Sequence, residues 1–326
     1  MLFIIDTYQY ESSSHSGGGV PPTDGSGGGR RMKPATFEYH RPTTVAEATA
    51  LLAEHHDAEL MAGNQSLGII MANRLATPNH LVDINDLDEL AYVDVDDDTV
   101  SVGALTRHRD IAASADLQAA MPMFSAAAEQ IAGPSVRNLG TLGGSIAEAD
   151  PAGNYPTVLA ALDGELHITS SEGERTVDAA DYFIAYMFTD LAEDELITGV
   201  SVSRDPFPTD RTGMAFLEQK PATQTWPTIS AGTAIRVDDA DADDPVVEEA
   251  RVALANAADV PLRVEAAEEA VEGEPLSEET LAAAAEAAVA EARPGGELHA
   301  DEEYKRELAG EYTKRSLETS YDNAQH

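Results

Sequence analysis

The spacing of apolar and polar residues predicts alternating strands and helices from Phe37 onward. Short apolar runs typical of strands occur at FEYHRP, AELMAG and NHLVDI. Between the first two lies TTVAEATALLAEH, whose apolar residues recur at helical spacing, with a capping-box pattern formed by Thr44 and Glu47. The order strand, helix, strand, glycine turn, strand defines a first unit, which we place at residues 32–87.

Two further units follow, at residues 88–208 and 209–326. In the second unit, TVSVGALT, GELHITS and ELITGVSVS are predicted strands, and MPMFSAAAEQIA and YPTVLAALD are predicted helices. The third unit has three predicted strands, GMAFLEQ, TISAGTAIRV and VEEARVALANA, which indicate a three-stranded antiparallel sheet. Its three helical segments are DVPLRVEAAEEAVEG, SEETLAAAAEAAVAEAR and DEEYKRELAGEYTKRSLE. Their aliphatic residues either form a docking surface for a partner or pack internally.

Residues 1–31 show no apolar period and are rich in glycine and serine. Such a segment buries too little apolar surface to fold, so we expect a flexible extension. The structured pattern begins at Met32, which is therefore a second candidate for the natural start of the protein, besides Met1.

The chain of 326 residues carries 59 acidic and 20 basic side chains, a formal charge of −39. An excess of this size repels phosphates and so argues against binding to nucleic acid or to an anionic membrane. The acids are spread along the chain, for example in DVDDD and DDADADD, which favours a salt-adapted, halophilic source. An ordinary acidic protein is the alternative.

The chain has no cysteine, which excludes disulfides, thiolate catalysis, iron–sulfur ligation and cysteine zinc sites within it. Its nine histidines form no HExxH pattern, and we interpret the adjacent His55 and His56 as surface residues. No apolar run reaches the roughly 20 residues that span a bilayer, and MLFII is too short for a signal peptide. We therefore predict a cytoplasmic protein without a membrane span.

Two glycine loops carry the candidate chemistry, AGNQSL at residues 62–67 and TLGGS at residues 141–145. Each offers small side chains, hydroxyl or amide groups and exposed backbone N–H groups, which suit a diphosphate. Neither matches GxxxxGK[ST] or GxGxxG. One such loop alone is most simply a tight turn, but two in successive units favour a dinucleotide held between them.

At this point the residues resemble a known family. AELMAGNQSLGIIMANRLATPNHLVDINDLDEL and AGPSVRNLGTLGGSIAEADPAGNYPTVLAALDGEL resemble the FAD-binding subunit of molybdenum hydroxylases, of the type found in aerobic carbon monoxide dehydrogenases and xanthine dehydrogenases. The resemblance implies an α/β and α+β architecture. It consists of a two-subdomain FAD-binding domain of the PCMH or vanillyl-alcohol-oxidase type and a smaller C-terminal domain with a three-stranded antiparallel sheet and helices.

The resemblance also implies residue roles. The FAD diphosphate would be wrapped by Leu60, Met61, Ala62, Gly63, Asn64, Gln65, Ser66 and Leu67. The diphosphate and ribityl chain would be held from the other side by Thr141, Leu142, Gly143, Gly144 and Ser145. Ile131 would pack on the flavin ring, Leu196 would lie near the adenine or the ring edge, and Arg137 would brace the loop.

Two positions depart from the family pattern. Asn154 stands where relatives usually carry an aspartate that contacts the cofactor, which keeps hydrogen bonding but removes the charge. The family's flavin-proximal lysine corresponds to Lys220, although the spacing around FLEQKPATQTWP leaves Glu218 as a competitor.

The sequence offers no nucleophile, metal site or acid–base pair of its own. The resemblance implies an FAD-dependent electron-transfer subunit, with a molybdenum cofactor on a large partner subunit and [2Fe-2S] clusters on a small one, assembled as a dimer of heterotrimers. Electrons would leave through FAD to an external acceptor. The alternatives are a standalone FAD-dependent oxidase or dehydrogenase and a non-catalytic nucleotide-binding module. The substrate and the terminal acceptor stay open.

Overall fold

The computed structural model describes residues 33–326, so the prediction of a flexible extension over residues 1–31 lies outside the described part. The first subdomain is a three-stranded parallel sheet in the order β1-β3-β2, with one helix in each crossover. Its elements are β1 (Glu38–His40), α1 (Val45–Glu54), β2 (Ala58–Met61), α2 (Leu67–Ala72) and β3 (His80–Asp83). Helix α1 buries Ala48 and Leu52 against Val82 of the sheet, as the helical period predicts.

The start of α1 uses the predicted capping residues in a shifted way. Thr44 Oγ1 accepts the N–H of Glu47 at 3.1 Å, as in a capping box. The Glu47 carboxylate, however, accepts the N–H of Thr43 at 2.8 Å rather than that of Thr44. It also accepts the Thr43 hydroxyl at 3.2 Å, so one residue supplies both donors and draws the carboxylate one position upstream.

The second subdomain is built on a five-stranded antiparallel sheet in the order β4-β5-β10-β6-β7. After a 3₁₀ turn at Asp88–Leu90, its elements are β4 (Val93–Val95), β5 (Thr99–Gly103), α3 (His108–Ala112), α4 (Ala115–Ala120), α5 (Pro122–Gln130), α6 (Pro134–Arg137), α7 (Leu142–Glu148), α8 (Asn154–Ala161), β6 (Glu165–Thr169), β7 (Glu174–Asp178), α9 (Ala179–Tyr182), β8 (Phe183–Ala185), β9 (Phe188–Thr189) and β10 (Leu196–Ser203). Helices α5 and α8 form the centre of its core, where Phe124 and Tyr155 are fully buried.

The C-terminal domain carries a four-stranded antiparallel sheet in the order β11-β12-β13-β14, rather than the three strands predicted. Its elements are β11 (Thr212–Gln219), β12 (Ile229–Val237), β13 (Val247–Ala255), β14 (Leu262–Arg263), α10 (Glu265–Glu269), α11 (Glu278–Glu291) and α12 (Glu302–Ala324). The fourth strand lies in a segment predicted as helix. Pro261 explains the difference, because proline lacks an N–H and disfavours helical backbone in the residue before it.

The aliphatic residues of the last helices pack internally, so the alternative of a docking surface is wrong for them. Leu281, Ala284, Ala288, Ala309 and Leu317 are buried in one core with the sheet. Helix α12 also runs on to Ala324, past the predicted end at Glu318.

The extension of α12 is stabilised by hydroxyl contacts with the sheet. Thr233 Oγ1 lies 2.8 Å from Ser316 Oγ and 2.7 Å from Ser320 Oγ, and all three side chains are buried. In the part of the chain that the structure describes, no helix combines the length and the apolar content needed to cross a bilayer.

Candidate cofactor site

The first glycine loop, Ala62–Gly68, leaves the carboxyl end of β2 and runs into α2. Asn64 adopts a left-handed backbone at φ 57°, which asparagine tolerates, and the Gln65 amide donates to Gly63 O at 2.8 Å. Within residues 33–326, the backbone N–H groups from Gly63 to Gly68 donate to no acceptor, and Ser66 provides no side-chain cap for α2. The loop therefore presents a row of available donors.

The second glycine loop, Thr141–Ser145, begins α7 and differs from the sequence expectation of exposed N–H groups. The N–H groups of Leu142 and Gly143 donate to Thr106 O at 3.1 Å and Ala104 O at 2.8 Å. The hydroxyl of Thr141, the helix N-cap, accepts the N–H of Gly144 at 3.1 Å. These N–H groups already have acceptors, because the loop packs against the end of β5 and also begins α7.

In place of free N–H groups, the second loop presents an exposed backbone at Gly144 that a ligand can approach. This residue is exposed, and a Cβ placed on it would meet only Thr141 Oγ1, at 2.9 Å. A Cβ on Gly143, by contrast, would meet Ala104 Cβ at 2.6 Å. Gly143 is therefore required for internal packing, and Gly144 allows a ligand to approach the backbone. The predicted contacts of Thr141 to Ser145 with the diphosphate stay a prediction.

The two loops come together, as the dinucleotide hypothesis requires. A Cβ on Gly63 would lie 2.5 Å from Leu139 O and 2.7 Å from Gly140 Cα. Both of these are backbone atoms of the segment that leads into the second loop, so they have little freedom to move aside. Only glycine at position 63 permits this approach between the two subdomains.

A side-chain bridge that the sequence reasoning missed also joins the two loops. Arg107 donates through Nη1 to Leu139 O and through Nη2 to Asn85 Oδ1, the latter at 2.7 Å. Asn85 in turn donates through Nδ2 to Ala62 O at 2.8 Å. Both residues lie just beyond the end of a strand, but no motif marked them. The bridge thus holds the backbone carbonyl groups of Ala62 and Leu139 near each other.

A second link connects the first loop to the far end of α7. The Ser66 side chain lies close to the carboxyl group of Glu148. Burial raises the pKa of Glu148, while the nearby Ser66 acts in the opposite direction. Ser66 therefore approaches α7 through its side chain, and its backbone N–H remains available.

His108 packs against Gly140, which leads into the second loop, and was also not predicted from the sequence. It is 5% exposed, and its Nδ1 lies 3.1 Å from the hydroxyl of Tyr155, which is fully buried. Burial lowers the pKa of His108 to about 4, with a further contribution from the charges of Arg107 and Arg137. A Cβ on Gly140 would meet His108 Nε2 at 2.5 Å, so the neutral imidazole packs directly against the loop backbone.

A second group of predicted residues gathers at the carboxyl end of α5. Asn154 is buried and donates through Nδ2 to Ala127 O at 2.9 Å and to Glu218 Oε1 at 2.7 Å. Glu218 forms an ion pair of 2.5 Å with Lys220, which also donates to Gln130 O. Glu218 and Lys220 thus lie side by side, with side chains 1% and 11% exposed.

The burial of this group of side chains affects the ionisation of Glu218. Burial raises the pKa of Glu218, against the opposing effects of Lys220 and Asn154. Glu218 thus links Lys220 to Asn154, since its carboxylate contacts both side chains. Ile131 follows directly on Gln130 and is half-buried, and its carbonyl accepts from Arg137 Nη1 at 2.8 Å. Arg137 therefore holds the turn after α5, and its predicted role as a brace of the second glycine loop stays a prediction.

Leu196 lies apart from these groups. Its side chain is 2% exposed and packs with Leu90 and Leu105 in the core behind the first loop. Leu60 packs against the same core, and Met61 against a neighbouring one. The assignment of these side chains to the cofactor stays a prediction.

The chemistry of the site fits an anionic diphosphate. The first loop supplies uncommitted N–H groups, the second supplies an open glycine, and a fixed bridge holds the two at short distance. Neutral donors hold a diphosphate without the full positive charges of a lysine-based phosphate site.

Comparisons with known proteins agree with this picture. Residues 35–204 match the family "FAD binding domain in molybdopterin dehydrogenase", and residues 215–320 match "CO dehydrogenase flavoprotein C-terminal domain". The carbon monoxide dehydrogenase medium chain of Hydrogenophaga pseudoflava is 36% identical over 89% of this chain and 99% of its own. The nicotine 6-hydroxylase medium subunit of Paenarthrobacter nicotinovorans is 34% identical over 88% of this chain and 98% of its own.

Solved structures show the same relationship. A chain of carbon monoxide dehydrogenase from Hydrogenophaga pseudoflava superposes with a TM-score of 0.84 at 37% identity, over 89% of this chain and 99% of that one. A chain of quinoline 2-oxidoreductase from Pseudomonas putida 86 gives a TM-score of 0.83 at 28% identity, over 90% of this chain and 100% of that one. The protein therefore belongs to the family of FAD-binding medium subunits of molybdenum hydroxylases.

Proposed function

We propose that this chain holds FAD with its diphosphate against Gly63–Gly68 and Gly144, and thereby serves as the electron-exit subunit of a molybdenum hydroxylase. The observation that carries the residue assignment is the row of N–H groups in the first loop, which find no acceptor within residues 33–326. Unpaired N–H groups at the start of a helix attract an anion, and a diphosphate would accept hydrogen bonds from them.

The chain's own residues position the cofactor and shape its surroundings. Arg107 and Asn85 hold the loops at their spacing, and His108 stays neutral beneath the second loop. Lys220, paired with Glu218, donates to Gln130 O directly before Ile131, where the flavin ring would lie. FAD supplies the redox chemistry when bound.

The proposed partners are inferred from the absence of cysteine in this chain and from its similarity to medium subunits. Because it has no cysteine, it provides no thiolate ligands for an iron–sulfur cluster. We propose that it docks a small subunit with [2Fe-2S] clusters and a large subunit with the molybdenum cofactor, in a dimer of heterotrimers. The relatives' names refer to carbon monoxide and to nicotine, which differ chemically, and we therefore assign the choice of substrate to the large subunit.

We further propose a cytoplasmic location in a salt-adapted cell. The support is the formal charge of −39, dispersed over all three units, together with the finding that no described helix could cross a membrane. A dispersed acidic surface keeps a protein hydrated and soluble when counter-ions are abundant.

The test is purification of the assembled protein from its native host. We expect a flavin absorption spectrum, one FAD per copy of this chain, and two further subunits that bring molybdenum and iron. A yellow chain that elutes alone and is reoxidised by oxygen would instead indicate the standalone oxidase, and a colourless chain with a bound nucleotide would indicate the non-catalytic module. Loss of FAD in the Gly144→Val variant, with the fold retained, would tie the cofactor to the proposed loops.

A further inference from the structure

We propose that His40, His55 and His80 form a binding site for one divalent first-row transition-metal ion, with Zn²⁺ as the representative ion. The three residues come from three different elements of the first subdomain. His40 ends β1, His55 is the C-cap of α1, and His80 begins β3. Each offers a ring nitrogen, and these three nitrogens all lie within 4.8 Å of one another.

The three imidazole rings are in direct contact. His40 Nε2 lies 2.9 Å from His80 Nδ1 in a hydrogen bond. The rings of His55 and His80 stack at 3.8 Å with an interplanar angle of 7°, and His40 stacks on His55 at 5.3 Å. All three side chains are half-buried, so the cluster is ordered by its neighbours and still reachable by an ion from solvent. The expectation that His55 is a simple surface residue is therefore wrong, whereas His56 is exposed.

The geometry allows metal coordination once the rings turn. The parallel rings of His55 and His80 must tilt toward a common point, and the ion would replace the proton shared by His40 and His80. A zinc ion binds imidazole nitrogens at about 2.0–2.1 Å in a tetrahedron, which places the nitrogens about 3.3 Å apart. His40 Nε2 and His80 Nδ1, at 2.9 Å, are already closer than that. The other nitrogen–nitrogen distances are at most 4.8 Å, so each must shorten by no more than about 1.5 Å. Rotation about the side-chain dihedral angles of partly exposed rings provides such a movement. A water molecule would complete the tetrahedron.

The donor set selects the class of ion. Imidazole nitrogens suit Zn²⁺, Cu²⁺ and Ni²⁺, whereas Mg²⁺ and Ca²⁺ prefer oxygen ligands. Two carboxylates stand close without being part of the triad. Glu38 Oε2 lies 4.0 Å from His80 Nδ1, and Asp57 lies near both His55 and His80, held by Asn79. Their negative charge favours a cation at this position.

The triad is separate from the cofactor loops. His80 pairs with Ala58 at the start of β2, while the first glycine loop leaves after Met61, at the other end of that strand. Three residues of strand span about 10 Å. An ion bound by the triad would therefore tie β1, α1 and β3 together without contacting the diphosphate.

The experiment uses the full-length, untagged protein with FAD bound. The protein is dialysed against micromolar Zn²⁺ in the presence of millimolar Mg²⁺ and high salt, which occupy the acidic surface, and retained zinc is then counted. We expect one zinc ion per wild-type chain. His55→Ala should weaken Zn²⁺ binding by at least about 100-fold, because loss of a ligand costs no less than loss of the groups that orient it. The control His56→Ala, one residue along the chain and exposed, should bind like the wild type.

Substitution of Co²⁺ on the wild-type protein provides a readout that does not depend on any variant. Tetrahedral nitrogen ligation should give intense visible absorption bands, which Zn²⁺ should displace, and the FAD content should stay constant throughout. Two results would overturn the proposal. One is a wild-type chain that retains no stoichiometric zinc and gives Co²⁺ only its octahedral, aqueous spectrum. The other is equal zinc retention by His55→Ala and His56→Ala, which would place the ion elsewhere.

Discussion

Replacement of Gly63 by alanine tests the contact between the two glycine loops directly. The new Cβ would lie 2.5 Å from Leu139 O, and ordinary van der Waals contact begins at 3.4 Å. The loops must therefore separate by about 3.4 − 2.5 = 0.9 Å at this point. Because the opposing atoms belong to the backbone, no side-chain rotation relieves the clash.

A displacement of this size breaks a hydrogen bond between a loop N–H and a phosphate oxygen. Hydrogen bonds to charged groups contribute about 1.5–3 kcal/mol. The loss of one corresponds to a rise in the Kd for FAD of about 10- to 100-fold. We expect a smaller loss of folding stability, of about 1–3 kcal/mol, as for other overpacked sites.

The assay is titration of the apoprotein with FAD, followed by the quenching of flavin fluorescence. Gly295→Ala is the matched control, because Gly295 is exposed and a Cβ there would meet no atom within 4 Å. Arg107→Gln provides a milder perturbation of the same contact, since it removes the bridge and leaves the loop backbone intact. If folded Gly63→Ala binds FAD with the wild-type Kd, the two loops do not form the diphosphate site.

Three further predictions concern the same region and the surface. Gly144→Val should lose FAD and melt close to the FAD-free wild type, whereas Gly143→Val should also lose the fold, because its side chain would strike Ala104; calorimetry of the FAD-free proteins and flavin content distinguish the two. His108 has a pKa lowered to about 4, below the ordinary value of 6.5, so the unfolded chain takes up its proton first as the pH falls. Its contribution of about 3 kcal/mol is thus complete above pH 6.5 and is lost between pH 6.5 and 4, and His108→Asn should flatten this part of the stability profile. Raising KCl should increase the melting temperature by screening the charge of −39, and a melting temperature that is independent of salt would contradict the salt-adapted interpretation.

The sequence predicted the large elements well because their apolar periods are long. Helix α11, with Ser277 as its cap, and the strands β11, β12 and β13 lie within a residue or two of the predicted bounds. Helices α3, α4, α6 and α9 were not predicted, since four to six residues are too few to show a helical period. The fourth strand was missed because pairing of Arg263 with Ala253 is a tertiary contact that local spacing does not reveal.

The two glycine loops could be recognised in the sequence, whereas the single side chains around them could not. The loops stand out because several small residues occur together, and the structure packs the first loop against Leu139 and Gly140, just before the second. Their contact with FAD stays a prediction. Asn85, Arg107 and His108 are isolated polar residues far apart in sequence, and only the folded chain shows that they meet the loops. The histidine triad was missed for the same reason.

The unpaired N–H groups of Gly63–Gly68 have a consequence for how the protein matures in the cell. A ligand that binds only the native state adds about 2.7 kcal/mol to its stability when present at a hundred times its Kd. On the proposed function, newly made chains would gain part of their stability only when FAD binds, and chains without it would be cut more readily by proteases at this edge of the first subdomain.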